Sequence, residues 1–235
     1  MEGILICYRE IYNLALERKG SKEILESLIS RPSDRSPLRV FSDDRCLAEF
    51  TKKIFQSGFV WKIVEQKWEG FEEIFWGFDI DKLLLMPEDM LERKAQDKKI
   101  IRNFRKVRTI LVNAQMIKET CERESKSFGK FLSEWPKNDL VGLWIYLKNN
   151  GSRLGGNTGP FALRSLGIDS FLLTKDVEDF LRLNGIVDSG ISSKRALYAA
   201  QNFFNDLQKD SGRDFAELSR LIAFSFGDNW AGLSH

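Results

Sequence analysis

The fold assignment depends on one short segment, Arg153-Leu-Gly-Gly-Asn-Thr-Gly159. Helical patterns flank it, from Asp139 to Lys148 and from Gly159 to Leu166. Glycines this close together before a helix let backbone N–H groups approach a phosphate, and the helix N-terminus favours the same negative charge. A flexible loop or a helix C-cap explains the glycines equally well. The segment therefore predicts either a phosphate-binding turn or an ordinary connection between two helices.

Apolar residues recur with helical periodicity along most of the 235 residues, and no segment shows convincing strand alternation. The other predicted helices run from Ile4 to Arg18, Ser21 to Ile29, Asp43 to Gly58, Ile100 to Ile117, Phe128 to Glu134, Lys175 to Asn184, Lys194 to Lys209 and Asp214 to Phe224, with a short one starting at Pro87. A further helical stripe, which Gly70 either interrupts or leaves intact, consists of Trp61, Val64, Trp68, Phe71 and Phe75. We therefore predict an all-α fold.

One segment has the composition of a linker, Arg31-Pro-Ser-Asp-Arg-Ser-Pro37. It predicts N-terminal helices and a linker over residues 1–36, packed on a main domain over residues 37–235. The first residues, Met1 to Cys7, have the pattern of neither a signal peptide nor a membrane span. We expect a cytoplasmic, monomeric protein with no membrane partner.

The inventory of cysteine and histidine is small. Cys7, Cys46 and Cys121 are far apart, and His235 is the only histidine in the sequence. A zinc site usually draws four ligands from these two residue types, so we predict no metal and no cofactor. The cysteines are expected to be reduced and mostly buried. Acid–base chemistry in this chain must then come from carboxylates.

Basic residues are concentrated in two windows although the net charge is only +2. The windows from Lys98 to Arg108 and from Lys148 to Arg164 contain no acid. The bases that fall mostly away from the apolar stripe of the predicted helix are Arg102, Arg105, Lys106 and Arg108. Two basic patches beside a glycine turn could follow a phosphate backbone. Each patch alone is equally well explained by a solvated helix face or loop.

Two further segments carry candidate site residues. Asp176 stands at the start of a predicted helix, where an acid either does chemistry or simply caps the helix. In Phe55-Gln-Ser-Gly-Phe-Val-Trp61, aromatic residues flank a glycine. Such a cluster is usually part of the core and less often a slot in which a planar base stacks.

Taken in order, these motifs resemble the DNA-3-methyladenine glycosylase I family of the helix-hairpin-helix DNA glycosylase superfamily. The resemblance covers about residues 44–187 and rests on Gln56-Ser-Gly-Phe-Val-Trp-Lys62, Lys67-Trp-x-x-Phe-Glu-x-x-Phe75, Gly77-Phe-Asp79, Ile100-Ile-Arg-Asn103, Asn113-Ala114 and Leu154-Gly-Gly-Asn-Thr-Gly159. It is greatest for a zinc-less subgroup, in which the hairpin and a following Arg/Lys-Asp-Val are typical. It implies a two-lobed, all-helical fold whose cleft receives an alkylated base flipped out of duplex DNA.

The resemblance also implies roles for particular residues. The base would be bound by Trp61, Phe59 and Gln56. DNA phosphates would be held by Arg153, Leu154, Gly155, Gly156, Asn157, Thr158 and Gly159 of the hairpin, together with Arg102 and Arg105. Asp176 would be the catalytic carboxylate that stabilises positive charge developing on the sugar. A strict register places Thr174 at that position instead, and Glu65 is another candidate acid.

A departure from the family pattern and a contrast with bifunctional relatives refine this expectation. Family members read the base edge with a glutamate at a position that is Lys53 here, so Glu49 is a candidate substitute and Lys53 is expected to be an exposed helix residue. Bifunctional relatives keep a lysine after the hairpin glycine, but here Pro160 and Phe161 follow Gly159. We therefore predict a monofunctional hydrolase that removes 3-methyladenine-like alkylated purines from double-stranded DNA, the first step of base excision repair. The alternative is a non-catalytic binder of damaged or abasic DNA with the same fold.

Overall fold

The computed structural model describes residues 6–29, 41–188 and 190–227. In chain order the helices within these ranges are α1 Tyr8–Lys19, α2 Lys22–Leu28, α3 Asp43–Gln56, α4 Trp61–Gln66, α5 Trp68–Ile74, α6 Ile80–Leu84, α7 Glu88–Ala95, α8 Phe104–Glu124, α9 Phe128–Ser133, α10 Leu140–Asn150, α11 Thr158–Ser165, α12 Lys175–Leu183, α13 Lys194–Ser211 and α14 Phe215–Ser225. These ranges contain no strand, and the predicted all-α fold is confirmed. None of these helices is both long and apolar enough to cross a bilayer.

The chain divides into two compact units. We call the first the terminal unit, which comprises Met1–Pro37, Lys137–Val141 and Asp169–His235. The central unit comprises Leu38–Pro136 and Gly142–Ile168. The predicted linker, residues 31–37, lies outside the described residues. The predicted division of the chain after residue 36 stays a prediction.

The central unit is built around α3 and α8, which pack against each other, with α11 against α3. Each helix buries one apolar stripe, as its periodicity predicts. Phe50 and Ile54 of α3 and Val107 and Ile110 of α8 are at most 1% exposed. This core supports both the segment after α3 and the glycine segment before α11.

Helix α8 begins later than its apolar pattern predicts. The predicted start was Ile100, but the first helical residue is Phe104. The Asn103 side chain accepts a hydrogen bond from the Lys106 backbone N–H at 3.1 Å and so caps the helix at this point. Ile100 is buried although it precedes the helix, so its apolar character reports burial and not helical structure.

The aromatic stripe from Trp61 to Phe75 forms two helices and not one. α4 ends and α5 begins around Lys67, whereas Gly70 lies inside α5. A Cβ atom at Gly70 would lie 2.5 Å from the Lys99 carbonyl oxygen, which no side chain could tolerate. The glycine therefore serves close packing and does not divide the helix.

A strained turn follows α5. Trp76, Gly77 and Phe78 all have positive φ values, a conformation that non-glycine residues adopt at a cost. The Arg45 guanidinium binds the Glu72 carboxylate at 2.8 Å and also donates to the Gly77 carbonyl oxygen, which holds the turn. This arrangement accounts for the Gly77-Phe-Asp79 motif as a structural element. The turn leads into α6, a five-residue helix that was not predicted.

In the terminal unit, α1 packs along α14. α1 begins at Tyr8, where the Glu10 carboxylate accepts the Cys7 backbone N–H at 2.8 Å and closes the helix start. The predicted start at Ile4 lies outside the described residues. At the start of α14 the Asp169 carboxylate accepts the backbone N–H groups of Phe215 and Ala216 at 2.8 and 2.9 Å. Such a cap stabilises the N-terminus of the helix.

Candidate functional site

The glycine segment connects α10 to α11. α10 ends at Asn150 and α11 begins at Thr158, so residues 151–157 form the connection. Arg153 and Gly156 have φ values of 59° and 60°. Glycine adopts this left-handed conformation without strain, which explains position 156, whereas Arg153 adopts it at a cost. The helix, turn and helix predicted from the sequence are present in the structure.

Close packing explains two other glycines of this segment. A Cβ atom at Gly159 would lie 2.6 Å from the Leu154 carbonyl oxygen, and one at Gly151 would lie 2.8 Å from the Leu147 carbonyl oxygen. Both distances are far inside normal van der Waals contact. The Leu154 side chain is 1% exposed and anchors the turn in the core. A ligand at this residue would meet its backbone and not its side chain.

Asn113 on α8 holds the beginning of the turn. Its Oδ1 accepts the Ser152 backbone N–H at 2.7 Å, and its Nδ2 donates to the Ser152 carbonyl oxygen at 3.2 Å. Asn113 is completely buried, so these bonds satisfy polar atoms that water does not reach. These hydrogen bonds connect the Asn113-Ala114 motif to the glycine segment, which is distant from it in sequence.

A pocket of about 400 Å³ lies in the central unit, between the end of α3 and the glycine turn. It is lined by Lys53, Gln56, Ser57, Trp61, Gly155, Gly156, Asn157, Thr158 and Phe161. The structure thus brings together Gln56 and Trp61, predicted to bind the base, with four of the predicted hairpin residues. Its volume lies in the range of small-molecule sites.

The apolar wall of this pocket consists of two aromatic rings. Trp61 and Phe161 meet edge to face, with ring centroids 6.0 Å apart and planes at 87°. Trp61 is 52% exposed, unusually open for an indole and suited to stacking with a planar ligand. Phe59 is outside the described lining of the pocket and instead stacks on Phe55 at 6.4 Å.

The polar wall of the pocket is a chain of hydrogen bonds. Lys53 Nζ donates to Gln56 Oε1 at 3.0 Å and pairs with Glu49 Oε1 at 3.3 Å. Gln56 Nε2 donates to Glu65 Oε1 at 2.9 Å, while Lys52 pairs with the other oxygen of Glu65 at 2.7 Å. Glu65, considered above as a candidate acid, therefore orients Gln56.

The expectation that Lys53 is an exposed helix residue is wrong. Its side chain is 13% exposed, and its ammonium lies 5.4 Å from the centre of the Trp61 ring. The sequence spacing does carry a signal for this position. Lys53 and Gln56 are three residues apart on a helix and so share a face.

Lys106 also differs from the prediction. It was grouped with the exposed bases of α8, but it is 7% exposed, and its ammonium donates to the carbonyl oxygens of Ile54 and Ser57 at the end of α3. Burial and the nearby charge of Arg153 lower the pKa of the Lys106 ammonium. Lys106 thus caps α3 and supports the loop that leads to the pocket, whereas Arg102, Arg105 and Arg153 are exposed.

Asp176 lies in the terminal unit, in the first turn of α12. A Cβ atom at Gly227 would lie 2.7 Å from Asp176 Oδ1, so the carboxylate sits close against the backbone of that glycine. Thr174 precedes α12, and its hydroxyl is buried without a hydrogen-bond partner among the described residues. The structure thus describes the surroundings of Asp176 within the terminal unit only, and its catalytic role stays a prediction.

A larger pocket of about 870 Å³ in the central unit does not suit a phosphate backbone. Its acidic lining residues are Asp43, Asp44, Asp79, Asp81 and Glu122, and their charge would repel DNA. Cys121 also lines it, and burial together with a hydrogen bond to Asp43 raises the pKa of the Cys121 thiol to about 12. In the described part of the chain, no three of the His, Cys, Asp and Glu residues cluster as a metal site would require.

Comparison with known sequences finds a family match for the part of the chain that carries one side of this pocket. Residues 38–143 match the sequence profile of the family described as methyladenine glycosylase. This segment is similar to the methyladenine glycosylase family. It includes the pocket residues Lys53, Gln56 and Trp61, whereas the glycine turn follows the methyladenine glycosylase match. No curated protein matches the chain in sequence.

Solved structures show the fold of the wider chain. 3-methyladenine DNA glycosylase I from Staphylococcus aureus matches with 20% identity and a TM-score of 0.51, over 68% of this chain and 95% of that chain. The 8-oxoguanine DNA glycosylase of Methanocaldococcus jannaschii matches with 19% identity and a TM-score of 0.54, over 90% and 91%. That of Thermotoga maritima matches with 14% identity and a TM-score of 0.51, over 91% and 94%. The wider chain therefore shares its all-helical fold with these solved DNA glycosylase structures.

Proposed function

We propose that this chain is a DNA glycosylase that hydrolyses the N-glycosidic bond of an alkylated purine flipped out of duplex DNA, the first step of base excision repair. One observation carries the proposal: the aromatic slot and the glycine turn line the same pocket. A base lying on Trp61 would leave its phosphate near Gly155 and Thr158, where the N-terminus of α11 favours negative charge. The methyladenine glycosylase match and the glycosylase fold support this reading.

The energetic requirements of base flipping fit this pocket. Extruding a base costs a few kcal/mol, and least for a damaged pair. Stacking on an open indole such as Trp61 returns roughly 1–3 kcal/mol. The exposed bases Arg102, Arg105 and Arg153 would add phosphate contacts, whose strength falls as salt rises. The related M. jannaschii enzyme is known in complex with a DNA 15mer that contains 8-oxoguanine.

The catalytic carboxylate is proposed to be Asp176. No carboxylate is among the described residues that line the pocket of the central unit. Asp176 is half-buried at the start of α12. A carboxylate beside the sugar would stabilise the oxocarbenium-like transition state and orient the attacking water. An alkylated purine that already carries positive charge leaves readily and needs little acid assistance.

We further propose that the reaction is simple hydrolysis. Strand cleavage requires an amine that attacks the sugar. Here Gly159 is followed by Pro160, which is buried, and by Phe161, whose ring packs on Trp61. Borohydride reduction during turnover is expected to trap no covalent adduct. An adduct that disappears in Lys53→Gln would contradict monofunctional hydrolysis and would identify the amine.

The decisive experiment uses DNA treated with a methylating agent. Wild type should release methylated purines, and Asp176→Asn should lose at least about a hundredfold in rate, the scale of a group that stabilises transition-state charge. Asp179→Asn, on the same helix, is the matched control, because Asp179 pairs only with its neighbours Lys175 and Arg182 among the described residues. It should keep nearly full activity.

DNA affinity is measured in parallel with base release, at several salt concentrations. Salt-dependent binding without base release would overturn the enzymatic proposal and favour a non-catalytic reader of damaged or abasic DNA. Base release that is equal in wild type and Asp176→Asn would remove Asp176 from the mechanism. Binding that does not change with salt would contradict the phosphate contacts.

A further inference from the structure

The pocket presents a positive charge where it would meet the edge of a bound base. Lys53 lines the pocket beside Gln56 and Trp61, and its ammonium is enclosed, with 13% of the side chain exposed. An ammonium group has three N–H donors and no acceptor. Among the described residues, Gln56 Oε1 accepts a hydrogen bond from it at 3.0 Å, and Glu49 Oε1 forms an ion pair with it at 3.3 Å. At least one N–H donor of the ammonium thus remains for a ligand.

Gln56 adds a second donor to the same wall. Its Oε1 accepts from Lys53, and one of its two amide N–H groups donates to Glu65 at 2.9 Å. These two bonds determine the orientation of the Gln56 amide. Lys52 pairs with Glu65 and so holds the carboxylate that accepts from this amide. The second amide N–H of Gln56 is then available to the pocket. The polar wall is therefore rich in donors.

We propose that this pocket selects damaged bases that present a carbonyl oxygen to Lys53 over bases that present an exocyclic amino group. A carbonyl oxygen accepts a charge-assisted hydrogen bond from the ammonium, whereas an amino group would place donor against donor. Among alkylated purines the preferred class is then alkylated guanines and not alkylated adenines. This inference rests on the proposed glycosylase function and narrows its substrate.

A purely structural role for Lys53 makes a different prediction. If Lys53 only holds Glu49 and Gln56 in place, its replacement would lower activity on all bases equally. If it reads the base, replacement by a carboxylate would change the order of preference, because a carboxylate accepts hydrogen bonds and does not donate them. The ratio between two bases therefore separates the two roles.

Methylated duplex DNA supplies both bases in one substrate, because it contains 7-methylguanine, with a carbonyl at position 6, and 3-methyladenine, with an amino group there. Chromatography of the released bases should show that wild type prefers 7-methylguanine relative to their abundance. Lys53→Glu should shift the ratio toward 3-methyladenine by about tenfold. Lys62→Glu, an equal charge change at an exposed residue outside the described pocket lining, should leave the ratio unchanged. An unchanged ratio in Lys53→Glu would overturn the inference.

A binding measurement separates this inference from the proposed function. Free hypoxanthine and adenine differ at position 6 in the same way, and their affinities can be measured by NMR titration of the whole protein. Wild type should bind hypoxanthine about tenfold more tightly, and Lys53→Glu should reverse the order. This preference in a protein that releases no base would leave the inference standing and the enzymatic proposal refuted. Equal affinities in wild type would refute the inference itself.

Discussion

The Asn113 side chain forms two hydrogen bonds with the backbone of Ser152 at the start of the glycine turn, an arrangement that we call the clamp. The buried amide of Asn113 accepts the Ser152 N–H at 2.7 Å and donates to the Ser152 carbonyl oxygen at 3.2 Å. Because the two residues belong to α8 and to the turn before α11, this clamp ties the turn to the core helix of the central unit. The position of the turn therefore depends on a residue far from it in sequence.

Asn113→Ala should loosen the turn. Removing a buried hydrogen-bonding partner costs about 1–3 kcal/mol, since the Ser152 backbone groups lose their partner. We expect a decrease of this size in the free energy of unfolding, measured by urea denaturation, and weaker DNA binding with a smaller dependence on salt. Gln115→Ala, at an exposed position of the same helix, should change neither. Unaltered stability in Asn113→Ala would show that the clamp is not formed in solution.

Two glycines of the turn should respond differently to alanine. At Gly159 a Cβ atom would lie 2.6 Å from the Leu154 carbonyl oxygen, whereas at Gly156 it would meet nothing within 4 Å. Gly156→Ala should cost only about 1–2 kcal/mol, the strain of its left-handed conformation. Gly159→Ala must move backbone and should both destabilise the unit more and reduce DNA affinity. Thermal unfolding and a binding titration of the two variants check this order, and equal effects would contradict it.

Periodicity predicted the long helices well because burial of one face controls them. It failed where contacts distant in sequence decide the outcome. Lys106 and Arg105 are adjacent basic residues in the sequence, yet only Lys106 is buried. Its ammonium donates a hydrogen bond to a carbonyl oxygen at the end of α3. α6, Ile80–Leu84, is too short for a helical period to be recognised.

Only part of the candidate site could be predicted from the sequence. Gln56 and Trp61 stand in recognisable motifs and do line the pocket. In the sequence Phe161 is only one of the two residues that follow Gly159, and its edge-to-face contact with Trp61 depends on packing between α4 and α11. The prediction of an exposed Lys53 is wrong because it rests on the usual solvation of a lysine on a helix. Its enclosure by Glu49, Gln56 and Trp61 is a property of the folded chain.

Tyr12 should make the stability of the terminal unit sensitive to alkaline pH. Burial and its hydrogen bond to Glu26, at 2.9 Å, raise the pKa of Tyr12 from 10.0 to about 12. A tyrosine whose pKa is raised in the folded state stabilises that state at pH values below its pKa in the unfolded chain. This stabilisation is lost as the pH rises from about 10 to about 12. Denaturation across this window should show a shallower decline for Tyr12→Phe than for wild type. Glu26→Gln should also reduce the decline, and identical pH profiles would contradict the assignment.

The contact between Asp176 and Gly227 offers a test of the catalytic carboxylate that keeps the carboxylate itself. The Arg18 guanidinium donates to the Gly227 carbonyl oxygen, and a Cβ atom at this glycine would lie 2.7 Å from Asp176 Oδ1. Gly227→Ala should therefore displace the carboxylate and lower the rate of base release by about tenfold to a hundredfold, as expected when a catalytic group moves by about 1 Å.

Gly20→Ala is the matched control, because Gly20 also has a positive φ in the terminal unit but nothing within 4 Å of the added atom. It should lose stability through backbone strain without a specific loss of rate. If the two variants release bases at the same rate once folded protein is quantified, the position of Asp176 does not matter to the reaction, and another acid must be sought.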